Sequence, residues 1–68
     1  MKLREDYGLF LTGKRIEHGL TTKRLSEMTG VSIRKIENIE KENKGWSLYD
    51  LDRLRKTLNF SLSEVFYD

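Results

Sequence analysis

The chain of 68 residues has no cysteine and no proline, and only five glycines and one histidine. Without cysteine there is no disulfide and no thiolate zinc site. A domain this small must then be stabilised by packing, helped at most by a second subunit. Without proline, the breaks between elements fall to glycine, Asn59 and Ser/Thr clusters. Long apolar runs are missing as well. The opening stretch MKLREDYGLF carries charge throughout and holds nothing of signal-peptide or membrane-spanning length, so a soluble, cytoplasmic protein is expected. Strand-like alternation is also absent. A phosphate-cradling glycine loop and paired carboxylates in an apolar setting are both lacking, and so short a chain has little room for a substrate pocket. The expectation is a non-enzymatic domain with no metal, no cofactor and no small-molecule ligand.

What is present is charge and short apolar stripes. Charged residues make up 35% of the chain and hydrophobic residues 37%, with a formal net charge of +2. Residues 1–21 sum to +1, residues 22–45 to +2 and residues 46–68 to −1, counting Lys and Arg against Asp and Glu. The positive charge gathers in the middle, which suits a polyanionic partner or a solvated surface.

The pattern predicts an all-α domain of five short helices. Helix 1 is expected over about Arg4–His18, with Leu3, Tyr7, Leu11 and the stem of Lys14 in line and Phe10 beside them. Gly19 ends it, and His18 is read as an exposed helix-end residue. Helix 2 is expected over Thr22–Thr29, capped by Thr21, with Leu25 and Met28 facing inward. Lys23 and Arg24 occupy its first turn, the wrong sign for the helix dipole. Gly30 then permits a tight turn, and Ser32 caps helix 3, expected over Ile33–Lys41. Helix 4 is capped by Ser47, with Asp50 completing an acidic capping box, and ends at Asn59. Its stripe is Leu48, Leu51, Leu54 and Leu58. Ser61 and Glu64 form a second capping box that opens helix 5, with Leu62, Val65 and Phe66 facing the core.

Two short helices joined by a tight glycine-containing turn make the helix-turn-helix pattern. On a wheel at about 100° per residue, Ile36 and Ile39 define the buried side of helix 3. Arg34, Glu37, Asn38 and Lys41 fall on the opposite arc. Lys35 lies on one flank, Glu40 on the other, and Ile33 on the rim.

At this point the sequence resembles the bacterial and phage helix-turn-helix regulators of the lambda repressor and Cro type, the Xre family. The matching strings are KRIEHGLT at Lys14–Thr21, LSEMTGVSIRKIENIE at Leu25–Glu40 and SLYDLDRLRKTLNFSLSEVF at Ser47–Phe66. Ser26, Gly30, Ile36 and Ile39 stand at the family's structural positions. The sequence departs from the family pattern at Thr22, where a glutamine is usual, at Glu42 for glycine, at Trp46 for proline and at Arg55 for a small residue. The resemblance implies a compact lambda-repressor-like domain of bacterial or phage origin that binds double-stranded DNA. It also implies that Arg15 pairs with Glu40 to fix helix 3 against helix 1.

In that setting the expected base contacts are Ile33, Arg34, Lys35, Glu37 and Asn38. Arg34 matches the acceptor edge of guanine, Asn38 suits adenine, and Ile33 can press on a thymine methyl group. Glu37 can accept from cytosine or steady Arg34. Thr21, Thr22, Lys23, Lys41, Asn43 and Lys44 are the expected phosphate contacts. A homodimer on a short palindrome is expected, with Val65, Phe66 and Tyr67 in the self-contact. Trp46 and Tyr49 are read as packing or subunit-contact residues. The competing expectation is a protein-interaction module of the same fold, an antitoxin or antirepressor with little DNA binding of its own.

Overall fold

Local capping chemistry delimits most elements of the computed structural model, which describes residues 2–67. Helix α1 spans Tyr7–Glu17, α2 Thr22–Thr29, α3 Ile33–Glu42 and α4 Leu48–Leu58. Thr21, Ser32 and Ser47 cap α2, α3 and α4, each side chain accepting the backbone N–H three residues on at 3.0–3.2 Å. These bonds satisfy donors that the first turn of a helix leaves orphaned. Gly30 closes α2 at φ 78°, and Asn43 and Asn59 close α3 and α4 at φ 56°. Asparagine tolerates this left-handed conformation better than other side chains.

The ends of the chain depart from the five-helix expectation. Among the described residues there are four α-helices, a single 3-10 turn at Leu62–Glu64, and a two-stranded ribbon. Strand β1, Lys2–Leu3, pairs antiparallel with β2, Phe66–Tyr67, placing Leu3 opposite Phe66. The capping bond survives, since Glu64 accepts the Ser61 N–H at 2.8 Å. However, Val65, Phe66 and Tyr67 favour strand geometry, and one turn is too short to sustain a helix. Helix α1 accordingly starts at Tyr7 rather than Arg4. The Arg4 backbone N–H donates to Val65 O at 2.7 Å and its guanidinium to Glu64 O at 3.1 Å, tying it to the ribbon.

The core gathers Tyr7 and Leu11 from α1, Leu25 from α2, Ile36 and Ile39 from α3, and Leu51, Leu54 and Leu58 from α4. Val31, Phe60 and Val65 fill it from the turns. Phe10 meets Phe60 edge to face at 5.1 Å between centroids, and Trp46 packs on Phe66 at 6.1 Å. Three residues expected inside are substantially exposed: Met28, Leu48 and Leu62. Met28 and Leu48 stand at the margins of helical stripes narrower than their periodicity implies, and Leu62 lies in a single turn with no buried residue.

Gly8 permits the close approach of α1 to α3. A Cβ there would collide with the Ile39 carbonyl and stand 3.0 Å from the Glu40 carbonyl oxygen. The Tyr7 hydroxyl beside it is buried with no hydrogen-bond partner among the described residues. Burial pushes its phenol above the usual value, because the anion would lose its hydration. Below the unfolded value of about 10 the phenol is neutral in both states, and its burial carries no ionisation penalty. Above that pH the unfolded chain ionises first, and stability falls by up to about 1.4 kcal/mol per pH unit. Tyr7→Phe is expected to raise the melting temperature at pH 7, because an unmade buried hydrogen bond costs about 1–3 kcal/mol. Melts at pH 7 and pH 11 check this, and the advantage of Phe should be greater at pH 11.

Candidate nucleic-acid interface

The helix-turn-helix unit runs from α2 through Gly30 to α3. Its turn is held from within and from below. The Thr29 hydroxyl donates to Leu25 O at 2.8 Å and accepts the Val31 N–H at 3.1 Å. From α4, Arg53 Nη1 donates to Thr29 O at 3.2 Å, capping the carbonyl end of α2, while its guanidinium stacks on Tyr49 at 4.1 Å from the ring centroid. Sequence reasoning missed Arg53, because no local signal links an α4 arginine to the end of α2.

Helix α3 buries Ile36 and Ile39 completely and turns Arg34, Glu37, Asn38 and Lys41 to solvent. Among the described residues these four side chains have no hydrogen-bond or ion-pair partner, so Glu37 does not hold Arg34. A run of polar groups left free on one face of a fixed helix can meet base edges and phosphates. Ile33 lies at the rim with 40% exposure, large enough for an apolar contact outward.

Both flanks of α3 are pinned. On one side, Arg15 makes a two-pronged pair with Glu40, Nε to Oε2 at 2.8 Å and Nη2 to Oε1 at 3.0 Å. Its Nη1 donates to Leu20 O at 2.8 Å. Thus the pair implied by the family resemblance forms, and it fixes α1, α3 and the connection between α1 and α2 together. The Glu40 bond also raises the pKa of the Arg15 guanidinium. On the other flank, Lys35 Nζ lies 3.2 Å from Asp50 Oδ2. The acidic capping box expected at Ser47 is therefore only half formed, since the Asp50 carboxylate serves Lys35.

The expected phosphate contacts divide. Thr21, Lys23 and Lys44 are exposed and Thr22 is half-buried. The first turn of α2 thus presents cations and a capped helix N-terminus together. Arg24 beside them leans only loosely on Glu27, at 3.5 Å. Asn43 differs from the expectation. Its side-chain oxygen accepts the Gly8 N–H at 2.9 Å and its amide donates to Glu5 O at 2.9 Å. It caps α1 from across the domain, where the Asp6 carboxylate pairs with Arg4 and makes no capping bond, and its side chain is spent on that role. Val65 departs from its expected place in a self-contact, because it is fully buried in the core. Phe66 is half-buried and Tyr67 is 50% exposed.

A tight turn between two short helices, the second with a buried apolar side and an unpaired polar face, defines a helix-turn-helix DNA-binding domain. The chain belongs to the Cro/C1-type HTH DNA-binding domain family, whose model matches residues 11–68. No curated protein matches it. Among solved structures it is similar to C.Esp1396I bound to a 25 base pair operator site. That likeness has a TM-score of 0.74 at 20% identity, covers 87% of this chain and 78% of the other, and concerns the fold. No helix among the described residues is long and apolar enough to cross a membrane.

Proposed function

We propose that this DNA-binding regulator is a repressor that binds a short palindromic operator as a homodimer. The observation that carries the reading is the exposed arc of α3, where Arg34, Glu37, Asn38 and Lys41 stand unpaired on a helix pinned along both flanks. Arg34 takes guanine through its planar fork, and Asn38 takes adenine or a phosphate. Ile33 presses on a thymine methyl, and Glu37 accepts from a cytosine amino group. Thr21, Thr22, Lys23, Lys41 and Lys44 neutralise or bond phosphates and set the register. Lys23 and Arg24 forgo dipole stabilisation of a few tenths of a kcal/mol at the start of α2, a sacrifice that a polyanion there compensates.

One recognition helix per chain offers few base contacts against genomic competition. Two copies related by a two-fold axis would place their α3 helices in major grooves about 34–36 Å apart. Phe66 and Tyr67, on the terminal ribbon, are proposed as part of the self-contact. Occlusion of a promoter by such a dimer is the proposed regulatory outcome. The test is a selection of random duplexes with the purified protein, which reports the motif and the half-site spacing together.

A further inference from the structure

Lys35 follows the proposed guanine reader Arg34 on α3, yet its ammonium turns toward α4. The two ends of its ion pair are unequal, with the Lys35 side chain 54% exposed and that of Asp50 7% exposed. An exposed lysine by itself is held weakly. A buried carboxylate is costly without a counter-charge, so Asp50 governs how long the pair persists. Lys35 is the only side-chain partner of that carboxylate among the described residues. Asp50 is itself fixed in the first turn of α4, where its N–H donates to Ser47 Oγ at 3.2 Å and the helix end favours negative charge.

A lysine free on this flank would meet phosphates of any sequence, adding affinity that carries no information. We infer that Asp50 is a specificity-determining residue: it withholds Lys35 from the DNA backbone, leaving discrimination to Arg34 and Asn38. The inference rests on the DNA-binding reading above. Lys35 is then a held residue and not a base contact. With Arg15–Glu40 on the opposite flank, the pair also fixes the rotation of α3, one clamp near each end of the helix.

The experiment measures affinity of the full chain for its selected operator and for a scrambled duplex across a salt series. Circular dichroism and melting establish that each variant is folded. Asp50→Asn should strengthen scrambled-duplex binding several-fold, steepen its salt slope by about 0.9 and lower the operator preference. Adding Lys35→Gln to Asp50→Asn should return the slope to that of the parent. Lys35→Gln alone, which keeps a donor for Asp50, should leave the parent slope unchanged, whereas Lys23→Gln should flatten it by about 0.9. The inference is overturned if Lys35→Gln flattens the slope as Lys23→Gln does, because Lys35 would already touch phosphate. It is also overturned if folded Asp50→Asn leaves slope and preference unchanged, or if the double variant keeps the steep slope. A parent that binds neither duplex at low salt refutes the DNA-binding reading itself, an outcome distinct from these.

Discussion

Glu40→Ala is expected to destabilise the domain by about 3–5 kcal/mol. The Glu40 side chain is 9% exposed and that of Arg15 17%, so removal of the acid strands a guanidinium with little water to replace its partner. A domain of this size has a total stability of only about 3–10 kcal/mol, at about 0.05–0.15 kcal/mol per residue. Thermal or urea unfolding should therefore show a protein near its folding limit at 25 °C. Replacing both partners, as Arg15→Met with Glu40→Leu, should cost clearly less than Glu40→Ala, because an apolar pair leaves no charge buried. The remaining cost reflects the lost bond from Arg15 to Leu20 O. If the double variant were the less stable of the two, the penalty would not come from the stranded charge.

Ile39→Ala and Ile36→Ala should each cost about 2–5 kcal/mol. Both side chains are fully buried, and both lie where α3 meets the rest of the core. The value should fall high in that range at Ile39. Its own carbonyl is the atom that a Cβ on Gly8 would strike, so backbone already packs against backbone there, and α1 has little freedom to settle into a cavity. Unfolding of either variant would abolish DNA binding only as a consequence, and a stabilising osmolyte such as trimethylamine N-oxide, at unchanged ionic strength, should restore both together. Retention of full stability in Ile39→Ala would mean that α3 is not docked through this face.

Sequence and structure agree where the determining physics is local. The caps at Thr21, Ser32 and Ser47, the left-handed Asn59 and the buried face of Ile36 and Ile39 all depend on neighbours within a turn or two. The Arg15–Glu40 pair, 25 residues apart, is legible only through the family resemblance. The rest depended on contacts that no window reveals. Asn43 reads as a polar loop residue, yet its side chain caps Gly8 across 35 residues of chain. Lys35 reads as part of a charged face until Asp50 arrives from α4. The terminal ribbon pairs Lys2–Leu3 with Phe66–Tyr67, so Val65 and Phe66 read as helical in any window that lacks that partner. Periodicity locates the faces of α2 and α4 but not their widths, so Met28 and Leu48 read as inward-facing although both are exposed.

Sequence reading by the outward arc of α3 is tested most directly by the random-duplex selection with parent, Arg34→Ala and Asn38→Ala run side by side. Both substitutions lie on exposed, unpaired positions and should change stability by no more than about 0.5 kcal/mol. The parent should select a palindrome with half-sites about one helical turn, 10–10.5 base pairs, apart. Each variant should lose about 1–3 kcal/mol of discrimination at one base pair per half-site and keep its preference elsewhere. If folded Arg34→Ala and Asn38→Ala returned the same motif as the parent with undiminished selectivity, the exposed face of α3 would be a solvated surface and the proposed reading of DNA by these residues would be wrong.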